Sequence, residues 1–88
     1  MNIKIKRLSN LEINRENVLN WPIWKCDISS FNWEYPNEES CLILTGEVVV
    51  TTPIETVKIV AGDFIIFPKG LKCHWKVLQP IKKHYAFT

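Results

Sequence analysis

Residues 62–70 read GDFIIFPKG, a four-residue apolar run held between two turns. Gly70 closes a turn where glycine reaches positive φ without a Cβ clash. Pro68 has no N–H to donate and so belongs at a strand end. The run Phe64-Ile65-Ile66-Phe67 is too short for a helix and apolar on both faces. That pattern predicts a strand covered on both sides, as in two packed sheets or a closed barrel.

The same short period continues outward in both directions. Downstream, residues 71–78 and 81–87 alternate and are separated by Gln79-Pro80. Upstream, residues 56–60 follow a turn at 52–55, while residues 40–45 and 48–52 read as a hairpin about Gly46-Glu47. Residues 24–28 and 31–35 alternate as well, and Ile3 and Ile5 alternate with lysines in a candidate edge strand. Only residues 12–20 have helical character. The reading is all-β: about eight short antiparallel strands with little helix. A jelly-roll barrel is the economical arrangement, because it shortens or protects its edges.

A chain of 88 residues makes one domain, residues 1–88, near the lower end of what folds without staples. Four Trp, four Phe and two Tyr let aromatic burial supply the core. Eleven Lys and Arg against nine Asp and Glu give +2, and the densest basic cluster is Lys82-Lys83-His84. Nucleic-acid binding needs a broader basic face, so no nucleic-acid partner is expected. No apolar run approaches the ~20 residues of a membrane span, so no membrane partner is expected. No apolar block follows the lysines of MNIKIKRLSN, so no signal peptide is expected either. Cys26, Cys41 and Cys73 are odd in number and lack CxxC spacing, which fits reduced thiols in a cytoplasm.

Glu39, six residues and then Gly46 precede the GDFIIFPKG stretch, with only fifteen residues between the two patterns. Both resemble the motifs of cupins. In that family the first motif runs glycine, His-x-His, a glutamate, then glycine; the second runs glycine, five residues, Pro-x-Gly, two residues, histidine. Four stretches extend the likeness: WPIW at 21–24, FNWEY at 31–35, EESCLILTGEV at 38–48, and GDFIIFPKGLKCHWKVLQPIKKHY at 62–85. In these the chain resembles the small single-domain cupins of the ureidoglycine-aminohydrolase-like branch. The resemblance implies a barrel whose motif histidines and glutamate converge on an internal metal.

The family's ligand positions fall on other residues here. Counting back from Glu39 places the two imidazole positions at Trp33 and Tyr35, and counting forward from Gly70 places the last at Cys73. His74 is one residue late. By strand alternation it points to solvent with Lys72 and Lys76, whereas Leu71, Cys73, Trp75 and Val77 read inward. The inward set is then Trp33, Tyr35, Glu39 and Cys73, with Cys41 sharing the parity of Glu39. Catalytic zinc takes three protein ligands and tryptophan supplies none. No cofactor is therefore expected, and a divalent metal, if present, would rest on Glu39 and Cys73. A buried unpaired carboxylate is costly. Glu39 is expected to be protonated, bonded to Tyr35 or a thiol, or awaiting a cationic or amide ligand. Trp21 and Trp24 are expected to pack as core outside the barrel. Lys83 and His84 fall on opposite faces, with no role predicted for either.

These residues predict a small-molecule site in an aromatic-lined barrel mouth, formed by Glu39, Tyr35, Trp33, Cys73 and Trp75, around a histidine-poor metal position. The resemblance offers an alternative, a metal-assisted enzyme of the ureidoglycine aminohydrolase type, for which no catalytic residue can be named. A third possibility uses the barrel only as a scaffold for partners. A homodimer is expected, because so small a barrel leaves edges to cover, and the Ile3-Lys4-Ile5 segment is the candidate for pairing.

Overall fold

The computed structural model describes residues 2–88. Among them are seven strands: β1 (Lys4–Lys6), β2 (Ile23–Cys26), β3 (Ser29–Glu34), β4 (Glu39–Thr51), β5 (Thr56–Val60), β6 (Phe64–Phe67) and β7 (Lys72–Phe87). Every pairing is antiparallel. The 13 residues of β4 and the 16 of β7 run beside one another and are shared by two layers. One layer is ordered β1-β6-β4-β7-β2 and uses the first part of β4 and the last part of β7. The other is ordered β5-β4-β7-β3 and uses the remaining parts. This is the jelly roll expected from the alternation.

The turns expected at Gly46-Glu47 and Gln79-Pro80 are bends inside continuous strands, so segments 40–45 and 48–52 join in β4 and segments 71–78 and 81–87 join in β7, leaving seven strands where about eight were predicted. The β4–β7 register shifts between Ile43 and Thr45, between Thr45 and Glu47, and again between Glu47 and Val48. Such bulges bend a strand from one sheet into the next. Pro80 cannot donate to the ladder, so the partner strand yields at the same place.

The core lies between the layers, with Ile43, Val48, Ile59, Ile65, Phe67 and Val77 at most 2% exposed. A second cluster covers the outside of the first layer, where Val18, Leu42 and Phe64 pack with Leu8, Ile13 and Trp21. The helix α1 (Asn10–Arg15) and a single 3-10 turn (Val18–Asn20) supply this cover. They replace the one helical segment predicted over 12–20, because Asn17 turns left-handed between them at φ 57°. A capping box starts α1: Ser9 Oγ accepts from the Glu12 N–H at 3.2 Å, and Glu12 Oε1 accepts from the Ser9 N–H at 3.1 Å. β1 lies at one edge of the first layer, beside β6, and β2 lies at the other. No helix among the described residues is long and apolar enough to cross a membrane.

Candidate functional site

The site is assembled by register across the first layer. Phe67, Glu39 and Phe87 form one row across β6, β4 and β7. Ile43, Lys83 and Trp24 form another across β4, β7 and β2, with the Cys41–Tyr85 pair between the two rows. The long Lys83 side chain bridges the rows, and its Nζ donates to Glu39 Oε2 at 2.5 Å. Both residues are 5% exposed.

Aromatic rings enclose this pair. The ammonium lies 4.8 Å from the ring centre of Trp24, 5.0 Å from Trp75 and 6.0 Å from Phe67. Trp24 meets Trp75 edge-on at 5.9 Å, and Tyr35 stacks on Phe67 at 4.7 Å. With Phe31, Trp33, Tyr85 and Phe87, these residues border a cavity of about 430 Å³ that contains the ion pair in its wall. Cation–π attraction to three rings offsets part of the hydration the ammonium has lost.

Burial governs the other titratable groups. It holds the Tyr35 phenol well above its usual range, and the neighbouring Glu39 charge acts in the same direction. Burial also pushes the Cys41 thiol up to about 12, against the pull of the Lys83 ammonium. Cys73 is raised by burial too, with Trp75 drawing it back. The unfolded Cys41 thiol loses its proton near 9.0, while the folded one keeps it to about 12, so the folded chain binds more protons over that interval. Stability from this group is therefore complete below pH 9.0 and declines as pH rises toward 12. Urea unfolding is expected to show this alkaline decline, flattened in Cys41→Ala. An unchanged slope in that variant would assign the decline to other groups.

The structure brings Glu39, Tyr35, Trp33 and Trp75 to one cavity, with Trp33 at the rim, 45% exposed. Cys73 lies outside that lining, beside a separate open groove bordered by Asn32, Glu34 and Lys72, where its thiol donates to the Trp33 carbonyl at 3.6 Å. His74 is exposed and bonds Asn32 through Nδ1 at 2.9 Å. Two expectations fail. Trp24 does not cap the barrel from outside; its cross-strand pairing with Lys83 puts it in the cavity wall. Glu39 is not a carboxylate without a partner waiting for a cation, because Lys83 pairs with it. His84 faces the other side and bonds the Trp21 carbonyl through Nδ1 at 2.8 Å.

The EutQ-like cupin domain family matches residues 13–85. The chain belongs to that family. This cupin is similar to a DUF861 family protein from Thermotoga maritima, with 42% identity, a TM-score of 0.96, and coverage of 99% of this chain and 100% of that one. It shares its fold with a putative ethanolamine utilization protein Q from Salmonella typhimurium, at 20% identity and a TM-score of 0.65, covering 97% of this chain and 68% of the other. The EutQ protein of Clostridium difficile gives 19% identity and a TM-score of 0.65, with 94% and 64% covered. This cupin thus spans about two thirds of the length of either protein. No match was found among curated proteins.

A metal of the kind the cupin resemblance implies does not fit these residues. Among the described residues no three His, Cys, Asp or Glu side chains gather closely enough to hold an ion. The one internal carboxylate of the cavity already carries an ammonium at 2.5 Å, so a divalent cation placed there would meet a like charge at close range. Trp33 and Tyr35 occupy the imidazole positions of the motif and give no neutral nitrogen donor.

Proposed function

We propose that this cupin binds a small, largely apolar molecule in the aromatic cavity, without a metal, using the Glu39–Lys83 pair as its polar anchor. The observation that carries this reading is a cavity of about 430 Å³ with two opposite charges in its apolar wall. That volume lies within the range of small-molecule sites, which are mostly apolar with a few placed polar groups. A buried ion pair adds little to stability over well-packed apolar residues of the same size. Recognition therefore explains the pair better than folding does. Glu39, Lys83, Tyr35, Trp24 and Trp75 form the proposed binding set, with Trp33 at the rim.

The aminohydrolase alternative needs a Lewis acid held at Glu39. The Lys83 ammonium stands in that place, which favours binding over metal-assisted hydrolysis. The cytoplasm remains the proposed compartment, on the strength of three free cysteines.

Three of the four tryptophans border the cavity, so intrinsic fluorescence reports on its contents. Titration with a library of small aromatic molecules is expected to give saturable changes that survive EDTA and weaken in Trp24→Ala. Hits that keep full affinity in Trp24→Ala, or no hits at all, would refute the site.

We propose further that the protein forms a homodimer through the β1 edge, where Ile5 is 39% exposed beside an unpaired ladder. Light scattering is expected to give twice the chain mass, and Ile5→Lys to return it to the monomer. A monomer mass for the unsubstituted chain would end this proposal.

A further inference from the structure

Lys83 is more than nine-tenths buried, yet the structure gives its ammonium one hydrogen bond, to Glu39 Oε2. An ammonium carries three donors and no acceptor. Its other neighbours are the rings of Trp24, Trp75 and Phe67, which attract the charge but offer no lone pair. The indole N–H of Trp75 is buried as well and closes no hydrogen bond of good geometry, although the Tyr35 hydroxyl and the Cys73 thiol lie beside it. Buried donors left unpaired are costly. The shortage in this cavity is therefore of acceptors.

Net charge narrows the ligand further. The charges of Glu39 and Lys83 cancel, so an anion entering the cavity would bring an unbalanced charge into an apolar interior. It would also face the negative faces of the surrounding rings. A cation would meet the Lys83 charge at short range. A neutral group with one acceptor and one donor costs least, and the pair offers a donor and a carboxylate with lone pairs to spare.

We infer that the ligand presents a neutral carboxamide group on a flat apolar body. Its carbonyl oxygen accepts from the Lys83 ammonium, its N–H donates to the Glu39 carboxylate, and its body lies between Trp24 and Tyr35. This rests on the binding reading above and adds the chemical class of the ligand.

Four probes share one ring and differ only in the head group: benzamide, acetophenone, benzoate and benzylamine. Calorimetry at neutral pH is expected to rank benzamide roughly tenfold tighter than benzoate and benzylamine, the value of one charge-assisted hydrogen bond. Acetophenone, which satisfies only Lys83, should fall between. In Lys83→Met/Glu39→Gln both charges leave together, so neither is stranded. There the advantage of benzamide over acetophenone should vanish. If that variant does not fold, the ranking on the unsubstituted chain decides alone. Benzoate or benzylamine binding as tightly as benzamide would overturn the carboxamide inference while leaving the binding site standing. Failure of all four, with Trp24-dependent hits still found in the wider library, would likewise remove the ligand class and keep the site. Failure of both the probes and the library would remove the two together.

Discussion

Lys83→Met is expected to lower the unfolding free energy by about 3–5 kcal/mol, the loss typical of stranding one member of a buried ion pair. The substitution keeps the length and most of the volume of the side chain, so packing changes little. What changes is Glu39, which is 5% exposed and would lose its ammonium partner in that interior. A loss of that size is a large share of the ~5–15 kcal/mol that holds a domain together. Glu39→Gln should destabilise as well, because it leaves the ammonium facing rings and a neutral amide. The double variant Lys83→Met/Glu39→Gln should recover most of either loss. Urea unfolding of the four proteins, with a common slope, gives the coupling directly. A Lys83→Met protein as stable as the parent would show that the pair does not form in solution.

The sign of the Glu39→Gln effect separates sequence from structure. From sequence, Glu39 is an inward carboxylate without a partner, and neutralising it should be harmless or helpful. Its partner was hidden by the limits of alternation. In the first part of β7, Cys73, Trp75 and Val77 are buried while Lys72, His74 and Lys76 are exposed, so a period of two identifies the inner face. In the last part the 3-10 turn and Trp21 cover the outer face, and Lys83 and His84 are both buried on opposite sides. With both faces covered, adjacent polar residues carry no sign of which one looks inward. Lys83 flanked by Ile81 and Tyr85 at the same parity was the available signal.

Fold was more legible than site for a related reason. Residues 56–60 and 64–67 were predicted as strands and are β5 and β6 with unchanged bounds. Their ends are marked by turn residues, so their bounds are legible even though β6 pairs with the distant β1. The two corners read as turns in the sequence because glycine and proline punctuate a bend and a turn alike. Only the partner strand distinguishes them: a hairpin would fold β4 back on itself, whereas β7 continues alongside it through the corner. The start of α1 could have been found, since Ser9-Asn10-Leu11-Glu12 is a capping box in plain sequence.

The corner also sets the second large effect, that of Gly46→Ala. Gly46 has φ +103°, where an L side chain is strained wherever it points. A Cβ there would lie 2.3 Å from the Pro80 carbonyl oxygen, 2.8 Å from its carbon and 2.9 Å from Ile81 Cα. All three are backbone atoms of the adjacent strand, so no rotamer change relieves the contact. Backbone strain of ~1–3 kcal/mol and overpacking of ~1–3 kcal/mol together predict a loss of roughly 3–5 kcal/mol. The control is Gly62→Ala. Gly62 also has positive φ, +93°, but there the nearest atom, at 2.3 Å, is the guanidinium end of Arg7, which can swing away. That variant should lose the strain, about 1–3 kcal/mol, and the Arg7–Asp63 pair, which adds little with Arg7 exposed. Gly46→Ala should in addition disturb the cavity, because separating β4 from β7 at the bend shifts the Ile43–Lys83 pairing three residues away and draws the ammonium from Glu39. Urea unfolding reads the first effect, and titration with any cavity ligand reads the second. If Gly46→Ala is no less stable than Gly62→Ala, β7 does not press on β4 at this bend, and the corner does not set the register that brings Lys83 to Glu39.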